Sequence, residues 1–162
     1  MNDFGTRYVV DTNALSQLGQ SRRASPFFRE SARIPDEVLH EAQGFPDIAM
    51  LQQNAYPTTA AVLSWLRKVM ATVPADDTAL VNLYANQGNA DPLLVACALD
   101  GQSNDSQYLF PPEWIVVTAD QAVRAKAEEF DLKVLTNAEL ATLIDAAENE
   151  GPGRLASAAD GS

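Results

Sequence analysis

Short β-branched apolar runs alternate with longer, helically spaced segments along this chain, and that alternation constrains the fold more than any other feature. Tyr8-Val9-Val10 ends abruptly in Asp11-Thr12-Asn13, and Trp114-Ile115-Val116-Val117-Thr118 is followed almost at once by Asp120. Short apolar runs bounded by polar punctuation form buried strands. Ser31-Ala32-Arg33-Ile34 and Lys133-Val134-Leu135 are further strand candidates. Between them the spacing predicts helices over 14–20, from Pro35 to a stop at Gly44, through most of 49–86, from Asp91 onward, over 122–130, and from an Asn137 cap through Ile144. Val62, Leu66, Val69 and Val73 form a wide apolar face, and a further helix carries Leu80, Leu83 and Tyr84 and ends at Gly88. The segment Leu93 to Leu99 is apolar on all sides, which marks a helix buried against a sheet. Residues 21–25 and 100–112 read as loops, and the Gly/Ala/Ser-rich stretch from Gly151 as a disordered tail. Strands that alternate with helices imply βαβ units. The expected architecture is therefore three-layer α/β/α, with a central, mostly parallel sheet of four to five strands in a single domain over 1–150.

Composition excludes several classes. The 162 residues fit one domain, and 46% hydrophobic with 20% charged residues are globular proportions. No apolar run approaches the roughly 20 residues of a membrane-spanning helix. The Met1-Asn2-Asp3-Phe4 start lacks the features of a signal peptide. Cys97 is the only cysteine, so an internal disulfide is excluded and no Cys/His zinc set exists. These facts predict a cytoplasmic protein. Twenty-two acids against eleven bases give a net charge of −11, so the overall field repels phosphate. A nucleic-acid substrate would need metal ions or a local basic patch, and Arg22, Arg23, Arg29 and Arg33 form the only dense basic group.

Four acids stand where chemistry is expected. Asp11 and Asp120 each follow a predicted strand, which puts them on the edge where ligands bind in parallel sheets. Asp91 opens the most apolar helix, and Glu41 lies on the helix after the second strand. Plain alternatives exist for each: Asp91 and Asp120 suit helix N-caps, Asp11 an Asx-turn, and Glu41 a solvated helix surface, with Glu37 one turn away as its substitute. Carboxylates crowded at one edge repel one another, and a hard divalent cation with oxygen ligands removes that cost. Such a site can activate a water for phosphoryl displacement.

Val9-Val10-Asp11-Thr12-Asn13-Ala14-Leu15, Ile34-Pro35-Asp36-Glu37-Val38-Leu39-His40-Glu41-Ala42, Ala90-Asp91-Pro92-Leu93-Leu94-Val95-Ala96-Cys97-Ala98-Leu99 and Val116-Val117-Thr118-Ala119-Asp120 occur in this order. Together they resemble the PIN-domain nucleases, a family that includes the ribonuclease toxins of toxin–antitoxin pairs. The resemblance runs from about Tyr8 to Ile144. It implies that Asp11, Glu41, Asp91 and Asp120 bind Mg²⁺ or Mn²⁺, that Asn13 and Thr118 support them, and that RNA phosphodiesters are hydrolysed by a metal-activated water. It also implies a homodimer and a cognate antitoxin. Arg22 and Arg23 are the candidate RNA contacts. The rival reading keeps the fold as a non-catalytic PIN-like protein-interaction module, and a nuclease acting on DNA flaps is a third.

Other residues are read more plainly. His40 adjoins Glu41, but helix neighbours diverge by about 100°, so it is expected at the surface. Cys97 is expected to act as a small apolar residue, and Trp65 and Tyr84 as core.

Overall fold

The computed structural model describes residues 5–73 and 91–150. The chain is an α/β protein with five parallel strands, β1 (Thr6–Val10), β2 (Ala32–Pro35), β3 (Ala55–Tyr56), β4 (Glu113–Val117) and β5 (Lys133–Leu135). Their order in the sheet is β3-β2-β1-β4-β5. The chain therefore builds outward from β1 in one direction and then crosses to build outward in the other. The order reverses between β1 and β4.

Helices cover both faces. In chain order they are α1 (Thr12–Arg23), α2 (Pro26–Ser31), α3 (Asp36–Glu41), α4 (Ile48–Leu51), α5 (Ala60–Ala71), α6 (Asp91–Asp105), α7 (Gln121–Glu129) and α8 (Asn137–Asn149). Strand alternation divides the core. Tyr8, Val10, Ile34, Ile115 and Val117 pack with Leu15, Leu18, Phe28, Leu140 and Ile144 from α1, α2 and α8. Val9, Trp114 and Val116 face the other way, onto Val62, Leu66 and Val69 of α5, Leu93 to Leu99 of α6, and Val123 and Ala127 of α7. The three expected layers are present.

The all-apolar pattern of α6 has its expected cause: every residue from Leu93 to Leu99 is buried, because α5, α7 and the sheet enclose the helix. Among the described residues no helix is long and apolar enough to cross a membrane.

Several boundaries differ from the sequence reading. Residues 21–25 are not a loop: α1 runs to Arg23, and Ser25 caps α2 by accepting the Phe28 N–H, with Pro26 at the first helical position. Local polarity concealed the last turn of α1 and the whole of α2. Gly19, at φ +83°, interrupts α1 in a conformation that suits glycine. The stretch from 49 is broken by a 3₁₀ turn (Gln52–Asn54) and by β3, which only two residues make and which β2 alone pairs. The supposed loop over 100–112 is helical to Asp105. There Asp100 is buried and accepts the Tyr56 hydroxyl at 2.6 Å, which offsets the cost of its burial. The last helix is capped by Thr136 rather than Asn137, in a reciprocal box with Glu139. The helix expected around Leu80, Leu83 and Tyr84, its stop at Gly88 and the tail from Gly151 lie outside the described residues.

Candidate metal centre at the strand switch point

The register of β1 and β4 builds the site. Val10 pairs with Val117, so Asp11 and Thr118 leave the sheet side by side, and the Asp11 N–H donates to the Val117 carbonyl at 3.3 Å. Both residues are buried. Asp11 Oδ1 accepts the Ala14 N–H at 2.7 Å and caps α1. The Thr118 side chain hydrogen-bonds to the same carboxylate, and its Oγ1 also accepts the Asp120 N–H at 3.1 Å. Asp120 Oδ1 in turn accepts the Val123 N–H at 3.0 Å and caps α7. Capping is therefore a real role for Asp11 and Asp120. A carboxylate has about four lone-pair positions, so a cap does not exhaust it.

Glu41 arrives from the end of α3, where its Oε1 accepts the Thr12 hydroxyl. This contact joins α3 to the first residue of α1. Glu41 is exposed and Asp120 half-buried, whereas Asp11 lies beneath them. Burial pushes the Asp11 carboxyl above its ordinary range; the Thr118 and Ala14 hydrogen bonds oppose the shift, and the negative charges of Asp120 and Glu41 add to it. Two acids from other parts of the chain thus act on the Asp11 carboxyl at the strand switch point.

Asp91 is described by its backbone. It is the first residue of α6, whose far end carries Gly101 and Asp105 against Trp114 near the start of β4. A fifteen-residue helix is about 22 Å long, so Asp91 lies at the end of α6 nearer the strand C-termini. Asn13 is exposed on α1 and, among the described residues, makes no hydrogen bond to the acids. Among the described residues, no three His, Cys, Asp or Glu side chains stand close enough together to chelate one ion. The donor set is nevertheless all oxygen, and Mg²⁺ is commonly held by one or two carboxylates while it keeps several waters. The residues fit a hydrated hard cation better than a closed protein cage.

The basic group does not sit at this edge. Arg23 is buried; it pairs with both oxygens of Asp47 at 2.9 Å, donates to the Leu15 carbonyl at 2.7 Å and lies over the Phe45 ring. Arg22 pairs with Asp145 of α8 through two bonds, at 3.0 and 2.9 Å. Both stand at the far end of α1 from Asp11, and their ion pairs fasten α1 to its neighbours. Sequence reasoning missed Arg124, whose guanidinium donates to the Thr118 carbonyl at 3.1 Å, and Thr12. Arg124 falls one turn after Asp120 on α7, a spacing that could have suggested it. His40 is exposed, as expected. Cys97 is buried, and burial pushes its thiol up to about 12.

Compared with known proteins, the chain matches no family model and no curated protein.

Proposed function

We propose that this protein is a divalent-metal-dependent ribonuclease with its site at the β1/β4 switch point. The observation that carries the reading is the buried Asp11 carboxyl, charged against Glu41 and Asp120 from two other segments of the chain. Asp11, Glu41, Asp91 and Asp120 are the residues assigned to hold Mg²⁺ or Mn²⁺. When bound, such a cation supplies water activation and neutralises charge on the phosphoryl group. The chain's own part is to hold its acids in place. The Asp11 and Asp120 caps fix their carboxylates to the starts of α1 and α7, Thr118 ties the two together, and Thr12 holds Glu41. Arg124, which donates to the Thr118 carbonyl, is the cation at this edge assigned to the substrate phosphate.

The resemblance to PIN-domain toxins extends the proposal to a cytoplasmic homodimer held in check by an antitoxin. The test is cleavage of a labelled single-stranded RNA with Mg²⁺ or Mn²⁺. Asp11→Asn, which can still cap α1, is expected to lower the rate by about 10²–10³-fold, several kcal/mol of transition-state stabilisation. Cleavage that continues unchanged in chelator would sink the reading.

The capping roles of Asp11 and Asp120 favour a second reading, in which the acids are structural and the protein is a PIN-like interaction module. Titration with Mn²⁺ separates the two. A catalytic centre binds the ion saturably and loses it in Asp91→Ala; a module does neither.

A further inference from the structure

A second recess lies at the opposite end of the sheet. Arg7, Arg33 and Trp114 are each the second residue of their strand. Strand alternation turns all three away from Tyr8, Ala32 and Ile115 and toward the α6 face. Here they line a cavity of about 870 Å³ with Tyr56 of β3, Tyr108 and Phe110. This volume is in the roughly 300–1,000 Å³ range of small-molecule sites. The distance from Arg7 to Asp11 along β1 is four residues, about 13 Å, so the recess is separate from the acidic edge.

The aromatic walls are fixed, and Arg33 keeps unused donors. Trp114 donates its indole N–H to Asp105 Oδ2 at 2.8 Å and meets the Tyr56 ring edge-on at 5.6 Å. Tyr56 is held in turn by Asp100. Arg33 donates through Nη1 alone, to the Glu30 and Ala32 carbonyls at 3.0 and 2.7 Å. Its Nε and Nη2 donors have no acceptor among the described residues. Burial and the like charge of Arg7 together hold the Arg33 guanidinium below its ordinary range, an effect that a bound anion would relieve. Arg7 and Arg33 share the cavity wall with Asp105, whose carboxylate is engaged by the Trp114 indole. At the mouth, Tyr108 and Phe110 are 57% and 82% exposed.

We propose that this cavity binds a small planar aromatic molecule bearing one carboxylate or phosphate, with Arg33 and Arg7 at the anion and Trp114, Tyr56 and Tyr108 around the ring. The planar guanidinium fork matches two oxygens of a carboxylate or a phosphate, and aromatic walls favour a flat apolar body. The site stands independently of the nuclease reading.

The probes are 2-naphthoate, 2-naphthyl phosphate and the uncharged 2-naphthamide, titrated into the full chain while the two indole N–H signals are followed by NMR. An anionic probe is expected to shift Trp114 saturably and leave Trp65 in place. The amide should bind at least about tenfold more weakly, the loss of one charge-assisted hydrogen bond. Arg33→Gln should erase that difference, and the tighter of the two anions identifies the group preferred. Tyr108→Ala, at an exposed position that does not threaten folding, should weaken all three probes, so the proposal is tested even if Arg33→Gln fails to fold. Equal binding of amide and anions, no saturable shift of Trp114, or full affinity in Tyr108→Ala would overturn it.

Discussion

Asp11 and Thr118 come from strands more than a hundred residues apart, yet the Thr118 side chain hydrogen-bonds to the Asp11 carboxylate beneath the strand switch point. That bond counters the burial of Asp11, and the same hydroxyl accepts the Asp120 N–H. Thr118→Val keeps the shape and removes both contacts. The Asp11 carboxyl is expected to titrate at higher pH than in the parent, as read from its Cγ resonance. The orphaned Asp120 N–H should lower stability by about 1–3 kcal/mol. An Asp11 titration that does not move would show that Thr118 is a packing residue only.

Because burial raises the folded-state titration of Asp11 above its unfolded value, the folded chain holds that proton longer. The destabilising contribution of Asp11 therefore grows as pH rises from the unfolded value of about 3.9 through the folded one, and is complete above it. Asp11→Asn, already expected to slow cleavage, should raise the melting temperature at neutral pH and leave it nearly unchanged in strong acid. Equal gains at both pH values would contradict the assignment.

Arg23 and Asp47 form the opposite case. Their paired side chains are only 6% and 5% exposed, and the guanidinium holds the Asp47 carboxyl below its ordinary range. Asp47→Asn leaves Arg23 buried without its counter-charge and should cost about 3–5 kcal/mol in urea denaturation. The parent should lose this contribution as pH falls below about 3.9 toward the folded-state value. Replacing both partners by apolar residues of similar size is expected to recover most of the loss.

Gly101 is required by contact rather than by backbone conformation. A Cβ there would meet the Trp114 ring at 2.4 Å. Gly101→Ala must displace the indole, which Asp105 also holds. A cost of about 1–3 kcal/mol is expected, as for other overpacked sites, together with a change in near-ultraviolet circular dichroism. Unaltered stability would mean that Trp114 has room to move.

Cys97 lies at the centre of α6, fully buried, and its thiol is pushed up to about 12. Labelling with a disulfide reagent at pH 8 is expected to follow the unfolding rate in rising urea and to be negligible in its absence. Rapid labelling of the folded protein would show that α6 opens locally.

Much of this was legible from residue order. Val9 and Val10 before Asp11, and Ile115 to Val117 before Thr118, are short apolar runs with polar ends, and such runs can be satisfied only inside a sheet covered on both faces. The apolar run from Leu93 to Leu99 demanded a helix enclosed on all sides, and that is where it lies. These are consequences of burial, which a local pattern reports directly.

What only the tertiary structure decided is who meets whom. Nothing near Arg23 in the chain announces Asp47, nothing near Thr12 announces Glu41, and the burial of Asp100 depends on Tyr56, forty-four residues away. The two-residue β3 strand exists because β2 offers it an edge, and α6 continues past its apolar run because Trp114 and Tyr56 supply partners for its polar turns. Pairing between distant groups carries no period along the chain. Periodicity therefore revealed the layers and the strand ends where the acids stand, while charge partners, hydrogen-bond partners and the second cavity were set by the packing of those layers.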